Sequence, residues 1–411
     1  MVLFLIANTG FAFGYHSSIT EEIVIGRTSK ADILGGPADA GPDQFICGSL
    51  TATLAADPGT GLWSTDDGPG TVNFTDATLY NTGISVTLYG SYTLRWTVDD
   101  GEETTNEVNF YQQSTANAGT GGDECDLDFT LNAIPSVGTG TWTMTSGTGT
   151  ASYSPNANDP AAVVTVTKYG TKEFTWTEIN GTCSDAAVIV VNFYQQPVAD
   201  AGTGGDECDL DFIFNAIASV GTGTWTMTSG TGTASYLPDA NTPGAVVTVT
   251  NYGTKEFTWT EVNGTCSDNG VITVNFYQQP VADAGTGGDE CDLDFILNAT
   301  ASAGTGTWTM TSGTGTASYL PDANTPGAVV TVTNYGTKEF TWTEVNGTCS
   351  DNGVITVNFY QQPVADAGTG GDECDLDFIL NATASVGTGT WTMTSGTGTA
   401  SYLPDANTPG A

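Results

Sequence analysis

The residues with the potential for chemistry are few, and they recur. Eight cysteines occur in the 411-residue chain. Cys125, Cys208, Cys291 and Cys374 lie 83 residues apart, as do Cys183, Cys266 and Cys349, while Cys47 stands outside both series. An acidic knot, Asp206-Glu207-Cys208-Asp209-Leu210-Asp211 after Asp200, surrounds the first cysteine and recurs in each full repeat. The sole histidine is His16, so acid–base chemistry built on imidazole has almost nothing to draw on. Paired carboxylates would serve glycoside hydrolysis only where two of them flank a cleft, about 5–9 Å apart. A small domain that spends its aromatics on a core offers no obvious cleft. No catalytic and no cofactor-binding residue is assigned, and the expectation is a chain that is not an enzyme.

The acidic knot has two readings. Hard cations take about 6–8 carboxylate and carbonyl oxygens, so calcium at the junction between repeats is one. The plainer reading is a solvated acidic pole, with Asp209 and Asp211 facing outward beside inward Leu210 and Phe212. No Asp-x-Asp-x-Asp-Gly loop supports a ligand set, so the expected cofactor list is empty, with calcium as the exception to test.

Charge narrows the partners. The chain carries 46 Asp+Glu against 7 Lys+Arg, a formal net charge of −39. Binding of nucleic acid through its phosphates needs clustered Lys/Arg, which are missing, and the same deficit disfavours anionic lipid. Nine Trp, 15 Tyr and 17 Phe are too many for a disordered acidic chain. The chain folds, and its 53 glycines make it turn-rich.

The tryptophans expose the organisation. Trp63, Trp142, Trp225, Trp308 and Trp391 occupy one repeat position, and Trp96, Trp176, Trp259 and Trp342 another. Residues 199–281 and 282–364 differ only at Phe214/Leu297, Ile217/Thr300 and Val220/Ala303. The domains follow: a signal-like segment and linker at 1–37, a divergent repeat at 38–115, full repeats at 116–198, 199–281 and 282–364, and a truncated repeat at 365–411. The truncated repeat is not expected to be stable by itself. A period of 83 exceeds the ~20–50 residues of solenoid units, and suits a small domain repeated head to tail.

Within a repeat the hydrophobic period is two. Leu127, Phe129 and Leu131 alternate with polar residues, as do Trp142 and Met144, and Phe174 and Trp176; Ile189, Val191 and Phe193 form the last inward set. Val163–Thr167 adds a β-branched run, and no segment shows an amphipathic helical pattern. Six or seven short strands between Gly-rich turns read as an antiparallel β-sandwich. The alternation turns Trp225 and Trp259 into the core, with an exposed sugar-stacking platform as the weaker alternative. Tyr194, Tyr277 and Tyr360 point opposite to the inward phenylalanines and are better candidates for exposed aromatics. Asn180, Asn263 and Asn346 each open Asn-Gly-Thr, which matches a glycosylation acceptor but reads more simply as a hairpin turn.

Cysteine arithmetic leaves two pairings. The plain one closes bridges within each repeat, Cys125–Cys183, Cys208–Cys266 and Cys291–Cys349, leaving Cys47 and Cys374 without partners. The other is staggered between neighbours, Cys47–Cys183, Cys125–Cys266 and Cys208–Cys349. It fits a sandwich in which the first cysteine and the last hairpin lie at opposite poles. Within-repeat pairing is the first expectation.

The first repeat also carries a resemblance. It opens Pro37-Ala38-Asp39-Ala40-Gly41-Pro42-Asp43-Gln44-Phe45-Ile46-Cys47, followed by Gly61-Leu62-Trp63-Ser64 and Tyr89-Gly90-Ser91-Tyr92-Thr93-Leu94-Arg95-Trp96-Thr97. Later repeats keep Ala-Asp-Ala-Gly, Gly-Thr-Trp-Thr and Tyr-Gly-Thr-Lys-Glu-Phe-Thr-Trp-Thr, but put Gly-Thr-Gly-Gly-Asp-Glu where the first has Gly-Pro-Asp-Gln. Over residues 38–411 this resembles the PKD-like, immunoglobulin-like repeats of large surface proteins from gliding and related Bacteroidetes-type bacteria. The resemblance implies an all-β tandem array of antiparallel Ig-like/PKD-like β-sandwich domains in an extracellular stalk or adhesin. Such proteins are often exported by a type IX system through a C-terminal sorting domain.

Residues 1–13 resemble the apolar core of a secretory signal without its positive n-region, and at that length they do not span a membrane. The reading is therefore a secreted or surface-displayed stalk, adhesin or structural spacer. Its expected partner is an unidentified surface, glycan or protein ligand, with neither nucleic acid nor membrane insertion. The alternative is a set of spacer or carbohydrate-binding modules of a secreted hydrolase. For the acidic knot, equal melting temperatures in millimolar calcium and in chelator are expected; a rise in calcium would establish a metal site.

Overall fold

A computed structural model describes residues 37–411. The signal-like segment 1–13 and His16 lie outside the described residues. The first domain has seven strands: β1 Gln44–Cys47, β2 Thr51–Thr53, β3 Gly61–Asp67, β4 Val72–Phe74, β5 Gly83–Val86, β6 Gly90–Val98 and β7 Glu103–Tyr111. They form a four-stranded sheet, β1-β7-β6-β3, and a three-stranded sheet, β2-β5-β4. Equivalent pairs of sheets recur between Gly122 and Phe193, between Gly205 and Phe276, and between Gly288 and Phe359. The fold is an all-β tandem array of immunoglobulin-like sandwiches. One compact unit holds the described residues up to Ala118 with Ala133–Trp142 and Trp176–Ala187; the other holds Gly119–Asn132, Thr143–Thr175 and Val188–Ala411.

One pairing departs from the antiparallel expectation. β1 lies parallel to β7, with Gln44 opposite Val108 and Cys47 opposite Tyr111. The chain leaves the sheet directly after Cys47 through Gly48, at φ +69°, whose N–H donates to the Tyr111 carbonyl at 2.9 Å. The later domains keep this pair, as in Gly205–Glu207 against Val274–Phe276. These acidic segments are therefore edge strands. Charged residues on an edge strand discourage pairing with another chain.

The core follows the period-two pattern, with additions at its ends. In the third domain the strand Gly253–Asn263 turns Lys255, Phe257, Trp259 and Glu261 inward. Trp225 and Trp259 have ring centroids 5.3 Å apart, and Phe214 stacks on Trp225 at 3.9 Å. Leu297 takes the place of Phe214 in the fourth domain. Burying such rings is worth several kcal/mol per domain, at ~1.5–3 kcal/mol per large apolar side chain. Tyr92 of the first domain donates its hydroxyl to the Leu88 carbonyl at 2.8 Å. Lys255 fills the equivalent place in the third domain, its Nζ donating to the Tyr252 carbonyl at 3.3 Å. In the second domain the matching Lys172 is buried, and that burial, with the charge of Lys168 second, lowers its pKa.

Residues 365–411 contain no strand, only an isolated bridge between Asp366 and Thr383. Trp391 is half-buried there, whereas the equivalent Trp225 and Trp308 are buried.

The Trp pair also dictates a glycine. A Cβ on Gly223 would fall 1.9 Å from the Trp259 ring, and on Gly306 1.9 Å from that of Trp342. Gly223→Ala is expected to cost about 1–3 kcal/mol, the range for overpacking, read as a lowered denaturation midpoint by tryptophan fluorescence.

Candidate functional site

The cysteines mark the joints between consecutive domains. Sγ atoms are bonded in the pairs Cys47–Cys183, Cys125–Cys266 and Cys208–Cys349, with Cα separations of 5.2, 5.5 and 5.5 Å. The within-repeat expectation is overturned, and strand direction gives the reason. Glu207 is opposite Phe276 at the far end of the strand Cys266–Phe276, so Cys208 follows that end while Cys266 begins it. At ~3.3 Å per residue the two cysteines of one domain stand roughly 30 Å apart, far beyond the ~7 Å limit for Cα atoms in a disulfide. Cys291, expected to be bridged to Cys349, is instead an exposed free thiol, as is Cys374.

Around each disulfide the same contacts recur. In the second joint the hairpin Asn263–Cys266 belongs to the third domain. Its turn glycine, Gly264, has φ +63°, a conformation that suits glycine. A Cβ there would lie 2.3 Å from the Tyr194 ring, which ends the preceding domain. Asn263 donates from Nδ2 to the Gln195 carbonyl at 2.8 Å, and Gln196 from Nε2 to the Ser267 carbonyl at 2.9 Å. Asp268 accepts the Ala199 N–H at 2.9 Å. The first joint repeats the set with Tyr111 on Gly181, Asn180 to the Gln112 carbonyl and Asp185 to the Ala116 N–H. The third does so with Tyr277 on Gly347, Asn346 to the Gln278 carbonyl and Asp351 to the Ala282 N–H.

A buried glutamate ties each linker to a domain core. Trp259 Nε1 donates to Glu261 Oε1 at 3.0 Å, and the Ser219 N–H to the same carboxylate at 2.9 Å. The Ser219 hydroxyl also donates to Glu261, and its oxygen accepts the Val198 N–H of the linker at 2.9 Å. Glu178 with Ser136 and Glu344 with Ser302 repeat the arrangement. Burial pulls the Glu261 carboxyl upward most strongly. The Ser219 hydroxyl, the Trp259 indole and the Ser219 and Val220 backbone N–H groups together outweigh it and hold the carboxyl below its ordinary value. In the first domain Val98 takes the place of this glutamate, and the buried Trp96 Nε1 has no hydrogen-bond partner.

The other candidates have local employment. Asp206 accepts from Asn275 Nδ2 at 2.8 Å, and Asp209 caps the Asp211 N–H at 2.8 Å. Burial, and then the Asp209 charge, push the Glu207 carboxyl up. Among the described residues, no group of three or more His, Cys, Asp or Glu is placed to hold a metal ion. Trp225 and Trp259 are buried and offer no stacking face. Tyr194 and Tyr277, read as exposed, are half-buried joint residues, while Tyr360 remains exposed. Glu261, Ser219, Asp268 and Gln195 were missed by sequence reasoning; their one signal is recurrence every 83 residues.

No family model matches the chain, and no curated protein does. Among solved structures it is similar to the titin I-band fragment I67–I69, at 13% identity over 59% of this chain and 99% of that one, with TM-score 0.36. Extracellular domains 3–5 of Drosophila OTK match at 10% over 58% and 95%, with TM-score 0.31. The N-terminal eight Ig domains of DSCAM match at 12% over 86% and 60%, with TM-score 0.24. These are likenesses of fold.

The glutamate clamps carry a pH dependence. A carboxyl whose pKa is depressed by folding stabilises above its unfolded value, about 4.3, and that contribution is lost as pH falls through the lower folded value. The melting temperature is expected to drop below about pH 4, and a Glu178→Gln, Glu261→Gln, Glu344→Gln variant to start lower at pH 7 and fall less steeply. Parallel acid limbs would show that the three carboxylates are not responsible.

Proposed function

We infer that this chain is a non-enzymatic extracellular repeat protein that acts as a surface stalk, adhesin or structural spacer. The observation that carries the reading is the recurrence of one joint, with its disulfide, asparagine bridge and glutamate clamp, at three successive domain junctions. Conserving orientation across each junction is what a spacer requires, and a catalytic cleft is not. Disulfides persist in oxidising compartments, which supports export. The resemblance to PKD-like repeats of bacterial surface proteins supports display on a cell envelope. The formal charge of −39 favours a soluble surface that repels its own copies. Its partner is a surface, glycan or protein ligand, and its working form needs no cofactor.

Protease shaving of intact source cells, followed by thiol labelling of the released chain, tests this. The chain is expected among the shaved material with Cys47, Cys125, Cys183, Cys208, Cys266 and Cys349 blocked as disulfides. Recovery only from lysed cells with reduced thiols would contradict it. Retention on a polysaccharide panel would instead favour the hydrolase-module alternative.

A further inference from the structure

The staggered disulfides have a consequence for tension. A load entering the first domain reaches Cys47 along β1 and crosses to Cys183, bypassing the residues between, a separation of 136 along the chain. It then follows the strand Cys183–Phe193, the linker and the strand Gly205–Glu207 to Cys208, and crosses to Cys349, a separation of 141. The third disulfide, Cys125–Cys266, opens a second route, down the strand Gly122–Glu124 and then the strand Cys266–Phe276. We propose that the three disulfides form a covalent load path that makes the array inextensible, with the tryptophan cores lying outside it. The inference deepens the stalk reading and rests on it for its biological use, although the mechanics belong to the chain alone.

The geometry suits the task. Both routes run through strands, whose ~3.3 Å rise per residue leaves little slack below the ~3.6 Å of a fully stretched chain. Both also run through the same neighbours in each sheet. In the third domain Gly205–Glu207 and Val274–Phe276 lie parallel and hydrogen-bonded, so a force along the chain loads two adjacent strands in one direction. The strands that carry Trp225 and Trp259 are bypassed by the disulfides on either side. Rupture of a core therefore releases no length into the tether.

The test is single-molecule stretching of the full chain by its two ends. With disulfides intact, the shortest covalent path holds about 136 residues, giving a ceiling of roughly 490 Å at ~3.6 Å per residue. After reduction and alkylation the ceiling rises to roughly 1,480 Å, about threefold. A Cys208→Ser, Cys349→Ser variant is expected to stretch to roughly 910 Å at ~3.6 Å per residue, because the shortest path then crosses from Cys47 to Cys183, runs back to Cys125 and crosses to Cys266. A Cys125→Ser, Cys266→Ser variant keeps the roughly 490 Å ceiling. An oxidised ceiling near 860 Å would mean bridges within repeats, and one near 1,480 Å no bypass; either overturns the proposal, as would an equal gain from both variants. Because neither variant changes the extension limit through folding, a loss of stability does not mask the result. A chain that passes here and is recovered only from the cell interior would overturn the stalk reading and leave the load path intact.

Discussion

Everything in this array depends on the parallel pairing of the first strand of each domain with its last. Because β1 and β7 run the same way, the cysteine that ends β1 sits at the pole where the chain departs for the next domain. The hairpin that begins β7 sits at the other pole, where the previous domain arrives. One strand register thus decides the disulfide connectivity and brings Tyr194, Asn263 and Gln195 into a single joint. A β1 lying antiparallel would reverse the cysteine and remove the joint.

The energetic division of labour follows. Each sandwich is small, so its Trp pair and flanking aromatics offset ordering entropy only narrowly. Crosslinks closing loops of 136 to 141 residues restrict the unfolded chain by about 5 kcal/mol each in the chain-entropy model. That stabilisation is shared between two domains, so neighbours unfold less independently than beads on a string. The buried glutamates extend the same coupling by polar means. Glu261 is held by a core indole on one side and, through Ser219, holds the linker N–H of Val198 on the other. Such a network is worth having only when fully satisfied.

Much of this was legible in the residues. The 83-residue period, the inward Trp and Phe positions and the Gly-rich turns point to a tandem sandwich because alternation on a half-buried strand leaves a direct mark in sequence. The strand Gly205–Glu207 left no such mark: Gly, Asp and Glu have low β propensity, and only the register with Val274–Phe276 makes it a strand. Lys255 and Glu261 were equally silent, since charged residues at inward positions read as surface until their partners are seen. Within-repeat bridging looked simpler because sequence proximity says nothing about which pole a residue occupies. Tyr194 was placed on the correct face, but what covers it, the Gly264 turn, comes from the neighbouring repeat.

The central claim is the staggered connectivity, and peptide mapping without reduction tests it most directly. Digestion of the alkylated, unreduced chain with glutamate-specific protease and chymotrypsin, followed by mass spectrometry, is predicted to yield a peptide joining Cys125 to Cys266. Cys291 and Cys374 should carry the alkyl label. A peptide joining Cys125 to Cys183 would contradict the account, and with it the joint on which the rest is built.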